Sequence, residues 1–474
     1  MPDRPEDQSD TNAIQIVHRP WKTWGLTAAF ALFVFLFSAW DSWSELRASP
    51  FHPDESRWIN RAYYLGELRD PFGSAWADRY LIRGQPPMGS YVTGLGLVLQ
   101  GRDQDTNGAW DFQFGFESNV TWNVTRGNMP AEGDLIAARR TALILGALTC
   151  TALFLIVATI TNIAGGVAAG VFLAVNPLHQ YLATLATSDA AFTFFVALSV
   201  LTAMWLSMKP TWWRGLLFAT AMAAGASTKL SPLALAFGIG LFGVVLLFDP
   251  WLRRLPHLGR EWRLLSRVES GSERELGWRL LVQPVAVALL FVISYPYLWS
   301  APIGRTRNLF DFRRFEMDNQ AGFWPQAAVQ TRADALRRTW ENLNDRYSST
   351  GRVLGGIGER LGLDPSSTRI DLYLAVPGIA ILVYLAWRNG LSSPHAMVAV
   401  TIGGQSLLIL LALGVDFNRY YLPLLLAAAL GVGVLAGWIT GSLWAWTCSI
   451  VNPRLAGVFD SSESPPNAIQ VADS

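Results

Sequence analysis

Two carboxylates stand side by side at Asp54 and Glu55, shortly after an apolar run that closes near Trp43. Further along, ionisable and hydrogen-bonding side chains recur at the borders of apolar runs: Arg139 with Arg140, then Asp189, then Lys229, then Asp416, Asn418, Arg419 and Tyr420. Such groups are costly next to apolar runs and are usually kept for a task. A carboxylate in this setting can take a proton from a hydroxyl. Cations beside it can stabilise negative charge developing on a departing phosphate. An apolar scaffold around them can house a lipid tail. No glycine-rich dinucleotide fingerprint or P-loop is present, so the set does not rest on a nucleotide-binding domain.

The elements that must position these residues are membrane helices. Of the 474 residues, 51% are hydrophobic and 15% charged, against about 25% charged in ordinary soluble domains. The mean hydropathy is +0.26. Net charge is +1, so there is no bulk electrostatic case for a nucleic-acid partner. Cys150 and Cys448 both lie in apolar stretches, which argues against a disulfide framework and a zinc site. The 21 tryptophans suit a chain with long membrane–water boundaries.

A span needs about 20 mostly apolar residues. Stretches 24–43, 141–160, 163–181, 190–207, 213–228, 232–249, 280–299, 371–387, 396–414 and 420–440 meet this pattern. Residues 87–100 form a shorter apolar stretch with the character of a re-entrant or interfacial helix, and 441–451 either extends the last span or lies at the interface. The expected architecture is an all-α polytopic membrane protein of about ten or eleven helices. A cytoplasmic tail covers 1–23, the membrane domain 24–451 and a disordered tail 452–474. The run from Trp24 follows His18, Arg19 and Lys22 with no small-residue cleavage site behind it, so it reads as a first span and not a signal peptide.

Arg19 and Lys22 place the N-terminus inside. Threading the spans from there also puts Lys209 with Arg214, the seven arginines of 250–279, and Arg388 inside. Two large segments, 44–140 and 300–370, then fall outside. In the second, Val329, Ala333, Leu336, Trp340 and Leu343 share one helical face, the pattern either of a helix lying at the membrane surface or of an amphipathic helix packed on the rest of the loop.

On this topology Asp54, Glu55, Arg139, Asp189, Lys229, Arg419 and Tyr420 all reach the same face. Each has a plainer reading. Asp54 and Asp189 suit helix caps, Lys229 suits snorkelling, and Arg139 and Arg140 suit lipid phosphate. The weight lies in the set and its sidedness. The chemistry that needs such a set is glycosyl transfer from a polyprenyl-phosphate sugar. The rival is a transporter or flippase of lipid-linked sugars. Transporters bind near the midplane and carry repeats, which do not appear in this sequence.

Five stretches resemble the GT-C glycosyltransferases, in the branch holding protein O-mannosyltransferases and the aminoarabinose transferases of lipid A. They are His52-Pro53-Asp54-Glu55, Gln85-Pro86-Pro87-Met88-Gly89, Ala138-Arg139-Arg140-Thr141, Asn176-Pro177-Leu178 with Asp189-Ala190-Ala191-Phe192, and the pair Ser227-Thr228-Lys229 and Arg419-Tyr420-Tyr421-Leu422-Pro423. The likeness runs over about 24–440. It implies an inverting transfer on the non-cytoplasmic face, periplasmic or extracellular, of an inner or plasma membrane. Asp54 would be the general base with Glu55 its neighbour, and Asp189 would bind acceptor or an ion. Arg83, Arg139, Lys229, Arg419 and Tyr420 would meet the donor. The implied partners are a polyprenyl-phosphate-linked sugar, a protein, lipid or glycan acceptor, and membrane lipids. The resemblance fixes no cofactor; a divalent metal ion, with Asp54, Glu55 and Asp189 as candidate ligands, is left open. Many relatives carry His or Lys where Gln85 stands and Lys where Ser90 stands, and Arg83 is the nearest substitute cation. The insert 101–134 matches nothing in the pattern and is expected to shape acceptor choice.

Overall fold

The computed structural model describes residues 21–112, 116–254 and 273–451. The expected N-terminal tail up to residue 20, the arginines at 260, 263 and 267 and the tail from 452 lie outside the described residues. The helices are α1 (Trp21–Trp43), α2 (Glu45–Ala48), α3 (Pro53–Asn60), α4 (Tyr80–Gly84), α5 (Met88–Leu99), α6 (Phe116–Thr125) and α7 (Glu132–Ile160). Next come α8 (Ile163–Ala174), α9 (Pro177–Ala183), α10 (Ser188–Met208), α11 (Trp212–Ala226), α12 (Ser231–Leu252), α13 (Glu273–Leu281) and α14 (Gln283–Ile293). The last six are α15 (Pro302–Phe323), α16 (Arg332–Trp340), α17 (Ser349–Arg360), α18 (Asp371–Asn389), α19 (Pro394–Ala412) and α20 (Leu422–Val451).

Among the described residues, eight helical stretches are long and apolar enough to cross a membrane. A ninth forms if α8 and α9, bent by 67° at their junction, count as one broken span. The bend has a local cause. Asn176 caps α9 by accepting from the Leu178 and His179 amides at 3.0 and 3.2 Å, and Pro177 cannot donate back into α8. The expected span 213–228 becomes α11, of 15 residues. That is about 22 Å of helix against a hydrocarbon core of about 30 Å. The count therefore comes out below ten by length alone.

Helices approach closely where side chains are absent. A Cβ on Gly165 of α8 would sit 2.7 Å from the Gly433 carbonyl oxygen of α20, and one on Gly378 of α18 would strike the Gly431 carbonyl. Small residues at such crossings let backbones meet and gain packing in an apolar medium. The principal core runs through α7, α8, α10 and α20. A second core joins α11, α12 and α14 to residues 64–91. A small third one, with Ile59, Ala62, Leu97, Leu135 and Ala138, lies under α3. The expected surface helix appears as α16, with Leu336 and Trp340 exposed but Ala335 and Leu343 buried against the bundle.

The insert folds onto α3. Ser56 donates to the Asn128 carbonyl at 2.6 Å, Arg57 Nε to the Trp110 carbonyl at 2.9 Å, and Asn60 to the Asn107 carbonyl at 2.5 Å. The amides of Asn119 and Asn123, both in sequons, are buried and hydrogen-bonded within this network. His179 is buried beside Cys150, with Nε2 3.4 Å from the thiol, as suits a packed helix-end residue.

Candidate active site

The helix that carries Asp54 begins at a capping box. His52 Nδ1 accepts from the Asp54 amide at 3.1 Å, and Glu55 Oε2 accepts from the His52 amide at 2.9 Å. Pro53 occupies the first turn, where a missing N–H has no helical partner to lose. The cap is thus His52, and the Asp54 side chain is left for other contacts. The same logic holds at α10, where Thr187 is the cap and Asp189 sits one residue inside the helix.

Glu55 turns inward. It is 0% exposed and Arg139 is 2% exposed. Arg139 Nε and Nη2 donate to the two Glu55 oxygens, each at 2.7 Å. Nη1 donates to the carbonyls of Leu46 and Ser49 at 2.8 and 2.9 Å, and Nη2 also to that of Pro50 at 3.1 Å. All five guanidinium N–H groups therefore have acceptors inside the chain. Glu55 accepts in addition from the Ala186 amide at 2.9 Å. The pair ties together the exit of α1, the start of α3, α7 and the turn before α10. Neither residue presents a spare polar atom to a ligand.

Asp54 turns toward the bundle end. Arg419 Nη1 donates to its Oδ2 at 2.8 Å, and the two side chains are 26% and 28% exposed. Oδ1 carries no hydrogen bond among the described residues. Asp189 forms a second pair. Its Oδ1 meets the Lys229 ammonium, and its Oδ2 accepts from the Thr187 hydroxyl at 2.9 Å. Both cations lie against one ring: Lys229 Nζ is 5.9 Å and Arg419 Cζ 5.8 Å from the Tyr420 centroid. Lys229 also lies 5.1 Å from the Phe192 ring. A third cation reaches the ring from α15, where Arg313 Nη2 donates to the Tyr420 hydroxyl at 2.7 Å.

The motifs hold each other in register. The Met88 amide donates to the Ser227 carbonyl at 2.8 Å, and the Ser227 and Ser294 hydroxyls are 2.7 Å apart. A Cβ on Gly89 would lie 2.8 Å from Ser188 Cβ and 2.9 Å from Trp58, so glycine permits this junction of α5, α10 and α3. Lys229 and Asp189 are placed by these contacts. Arg419 is placed by a short antiparallel bridge in which the Val329 amide donates to Gly414 at 2.9 Å and the Asp416 amide to Ala327 at 2.7 Å. The Asp416 carboxylate is taken up by Arg338, Asn342 and Tyr421 at 3.0, 3.1 and 2.7 Å.

Arg83 stands apart from Asp54. It pairs with Asp78 at 3.0 Å and stacks 5.5 Å from Phe312, the neighbour of Arg313 on α15. Two cations escaped the sequence reading. Arg313 lay in an arginine-rich segment, and its signal was the alternation Phe310, Phe312, Arg313, Phe315. Arg61 follows Asp54 by seven residues, on the same face of α3 continued. It is 4% exposed, donates to the Ser90 hydroxyl at 3.2 Å and the Gln85 carbonyl at 2.7 Å, and stacks 4.9 Å from Trp58. Burial pushes its guanidinium below the ordinary arginine value. Gln85 and Ser90 are the positions where relatives were expected to carry a cation, and here the charge arrives from α3.

The metal ion left open by the sequence finds no gathered donor set: among the described residues no three His, Cys, Asp or Glu side chains gather around a common point. Glu55 is committed to Arg139 and two amides, Asp54 meets Arg419, and Asp189 meets Lys229. Carboxylates each matched to a cation do not fit a divalent ion, and no step is assigned to one.

Residues 86–295 match the family model of dolichyl-phosphate-mannose-protein mannosyltransferase. This stretch holds Arg139, Asp189 and Lys229 and begins after Asp54. No curated protein matches the sequence significantly. Among solved structures, the chain resembles the Archaeoglobus fulgidus oligosaccharyltransferase crystallised with Zn and sulfate, at 12% identity and a TM-score of 0.50, covering 89% of this chain and 51% of that one. ArnT from Cupriavidus metallidurans in the apo state follows at 17% identity and 0.45, covering 91% and 63%. The S. cerevisiae protein O-mannosyltransferase complex bound to the sugar donor gives 15% and 0.37, covering 58% and 34%. The chain thus spans about half the length of the archaeal protein. The likeness to that protein shows a shared fold, the GT-C arrangement of membrane helices.

Proposed function

We propose that the chain is a GT-C membrane glycosyltransferase that moves a sugar from a polyprenyl-phosphate donor to an acceptor hydroxyl, with Asp54 as general base. The acceptor is a hydroxyl on protein, lipid or glycan. The observation that carries this reading is the gathering of Asp54–Arg419 and Asp189–Lys229 around the Tyr420 ring at one end of the bundle. The match to a dolichyl-phosphate-mannose family supports the donor class.

In this reading the donor phosphate rests on Lys229 and Arg419, with Tyr420 lining the groove and Arg313 holding the Tyr420 hydroxyl. The acceptor hydroxyl approaches Asp54 Oδ1. Its oxygen bonds to the anomeric carbon as the bond from that carbon to the phosphate oxygen breaks, and its proton passes to Asp54. The electron pair leaves on the phosphate, where the two cations stabilise it. A single displacement inverts the anomeric centre. Glu55 and Arg139 act as positioning residues, holding the start of α3 so that Asp54 faces the groove. Asp189 holds the Lys229 ammonium in place through their ion pair. Arg83, on α4 against Phe312 of α15, serves the donor rim. The arginines expected inside support a non-cytoplasmic position for this end.

The test incubates purified protein with radiolabelled polyprenyl-phosphate mannose and membrane extract. Wild type transfers label and Asp54→Asn does not. Equal transfer by the two proteins would overturn the assignment. A cysteine at the exposed position 103 reports the face. It should react with impermeant reagent from outside sealed cells, and protection there argues against the topology.

A further inference from the structure

A second cation cluster lies behind the Glu55–Arg139 pair. At the same bundle end, α1, α2 and α7 enclose a cavity of about 260 Å³ lined by Trp43, Ser44, Leu46, Arg47, Ile136 and Arg140. Arg139 and Arg140 are consecutive on α7 and so diverge by about 100° around the helix axis. Arg139 enters the core; Arg140 faces this cavity. Among the described residues neither Arg47 nor Arg140 has a carboxylate partner, and no carboxylate lines the cavity. Arg140 lies 6.0 Å from the Trp43 ring, which is 57% exposed.

The surface beneath is apolar. On α1, Leu32, Phe33, Leu36 and Trp40 are exposed, and only 17% of its most apolar window is buried inside the protein. On α7, Ile144 is exposed one turn below Arg140. Two unpaired guanidiniums, a serine and an indole thus stand over a lipid-facing strip, at the end of two helices long enough to cross a membrane. A phosphate with hydrocarbon chains attached matches this order: anion on the arginines, glycerol level at the indole, chains along α1 and α7.

We propose that this cavity binds the phosphate headgroup of one anionic membrane phospholipid, as a site separate from the groove at Asp54. The bound lipid braces the segment 44–50, whose carbonyls at Leu46, Ser49 and Pro50 receive Arg139. It therefore stabilises the positioning of α3 from outside.

The test uses full-length protein and reads binding, not transfer. Native mass spectrometry after detergent extraction compares wild type, Arg47→Gln/Arg140→Gln and Arg47→Lys/Arg140→Lys, each titrated with phosphatidylglycerol, phosphatidylcholine and inorganic phosphate. Wild type should retain one phosphatidylglycerol. The Gln pair should bind it about 30-fold more weakly, from roughly fivefold for each surface cation. The Lys pair should restore most of the affinity and shows that the chain still folds when the arginines are replaced. Equal retention by wild type and the Gln pair overturns the site. Phosphatidylcholine bound as tightly as phosphatidylglycerol overturns the anionic preference. Inorganic phosphate displacing the lipid at equal concentration assigns the site to a free anion and overturns the lipid.

Discussion

Asp54 and Glu55 leave the first turn of one short helix in opposite directions and meet opposite environments. Glu55 is sealed with Arg139, every guanidinium N–H matched and both carboxylate oxygens doubly used. Asp54 is about a quarter exposed, meets Arg419 through one oxygen, and keeps the other open. The Asp189–Lys229 pair stands between these extremes, with a buried acid and a partly exposed amine. The difference teaches how one acidic dipeptide serves two ends. A buried ion pair is held by geometry and resents the loss of either member. A half-solvated pair contributes little to stability and can exchange its partner for a substrate.

The first way to break this contrast is to cut the buried pair. Arg139→Ala should cost about 3–5 kcal/mol, because Glu55 would remain charged and uncompensated in the interior. Set against a total stability of about 5–15 kcal/mol, that predicts loss of most folded protein, read as a fall in monodisperse yield and in Tm. Arg139→Lys should rescue little, since an ammonium cannot reproduce five fixed donors. If Arg139→Ala folds normally and loses only transfer, the buried pair belongs to the chemistry and the contrast collapses.

The next substitution lies on the other side. Asp54→Asn should lower the transfer rate by about 10²–10⁴-fold, the usual worth of a positioned general base. Its stability should change by about 1 kcal/mol or less, since a partly exposed ion pair is all that is lost. A large fall in Tm for this variant would place Asp54 with Glu55.

Lys229 sharpens the intermediate case. Lys229→Met should lower transfer by about 10²–10³-fold through loss of charge at the leaving phosphate. It should also destabilise, because Asp189 is 3% exposed. Adding Asp189→Asn should recover stability and leave transfer low. This double-mutant cycle separates the two roles, and recovery of transfer along with stability would mean that Lys229 acts only by holding the fold.

Much of this arrangement was legible in the sequence. Apolar run lengths located the spans, and the recurrence of Asp54, Asp189, Lys229 and Arg419 at run borders located one shared bundle end. What stayed hidden depends on contacts distant in sequence. The capping box at His52 engages one Glu55 oxygen locally; the rest of the distinction from Asp54 comes from Arg139, 84 positions away, and from the Ala186 amide. Arg313 was hidden for the same reason, since its partner Tyr420 is 107 positions on. Arg61 looked like one more charge after an acidic pair. Only the fold brings Gln85 and Ser90 to it. The sequence leaves the metal question open because the cations that face Asp54 and Asp189 lie far along the chain. Length alone counts fewer spans than the apolar runs suggest because α11 stops at Ala226, where the chain turns to deliver Lys229.

The smallest expected effect concerns the insert, which grips α3 from the side away from Arg139. Asn107 lies at the centre of the grip: its side-chain amide donates to the Ser56 carbonyl at 3.2 Å, the Ser56 hydroxyl at 3.0 Å and the Asn128 carbonyl at 3.0 Å. Asn107→Ala removes these bonds from a buried position, at about 1–3 kcal/mol of stability. The helix keeps its cap at His52 and its anchor at Arg139, so Asp54 should stay in place and transfer measured well below the Tm should fall less than tenfold. Acceptor KM is the more telling number. If Asn107→Ala raises it while kcat holds, the insert shapes the acceptor's approach through the wall it forms beside Arg57 and Trp110. If kcat falls as far as in Asp54→Asn, then α3 is held in register by the insert and not by Glu55. The contrast between the sealed and the open carboxylate would then have the wrong anchor.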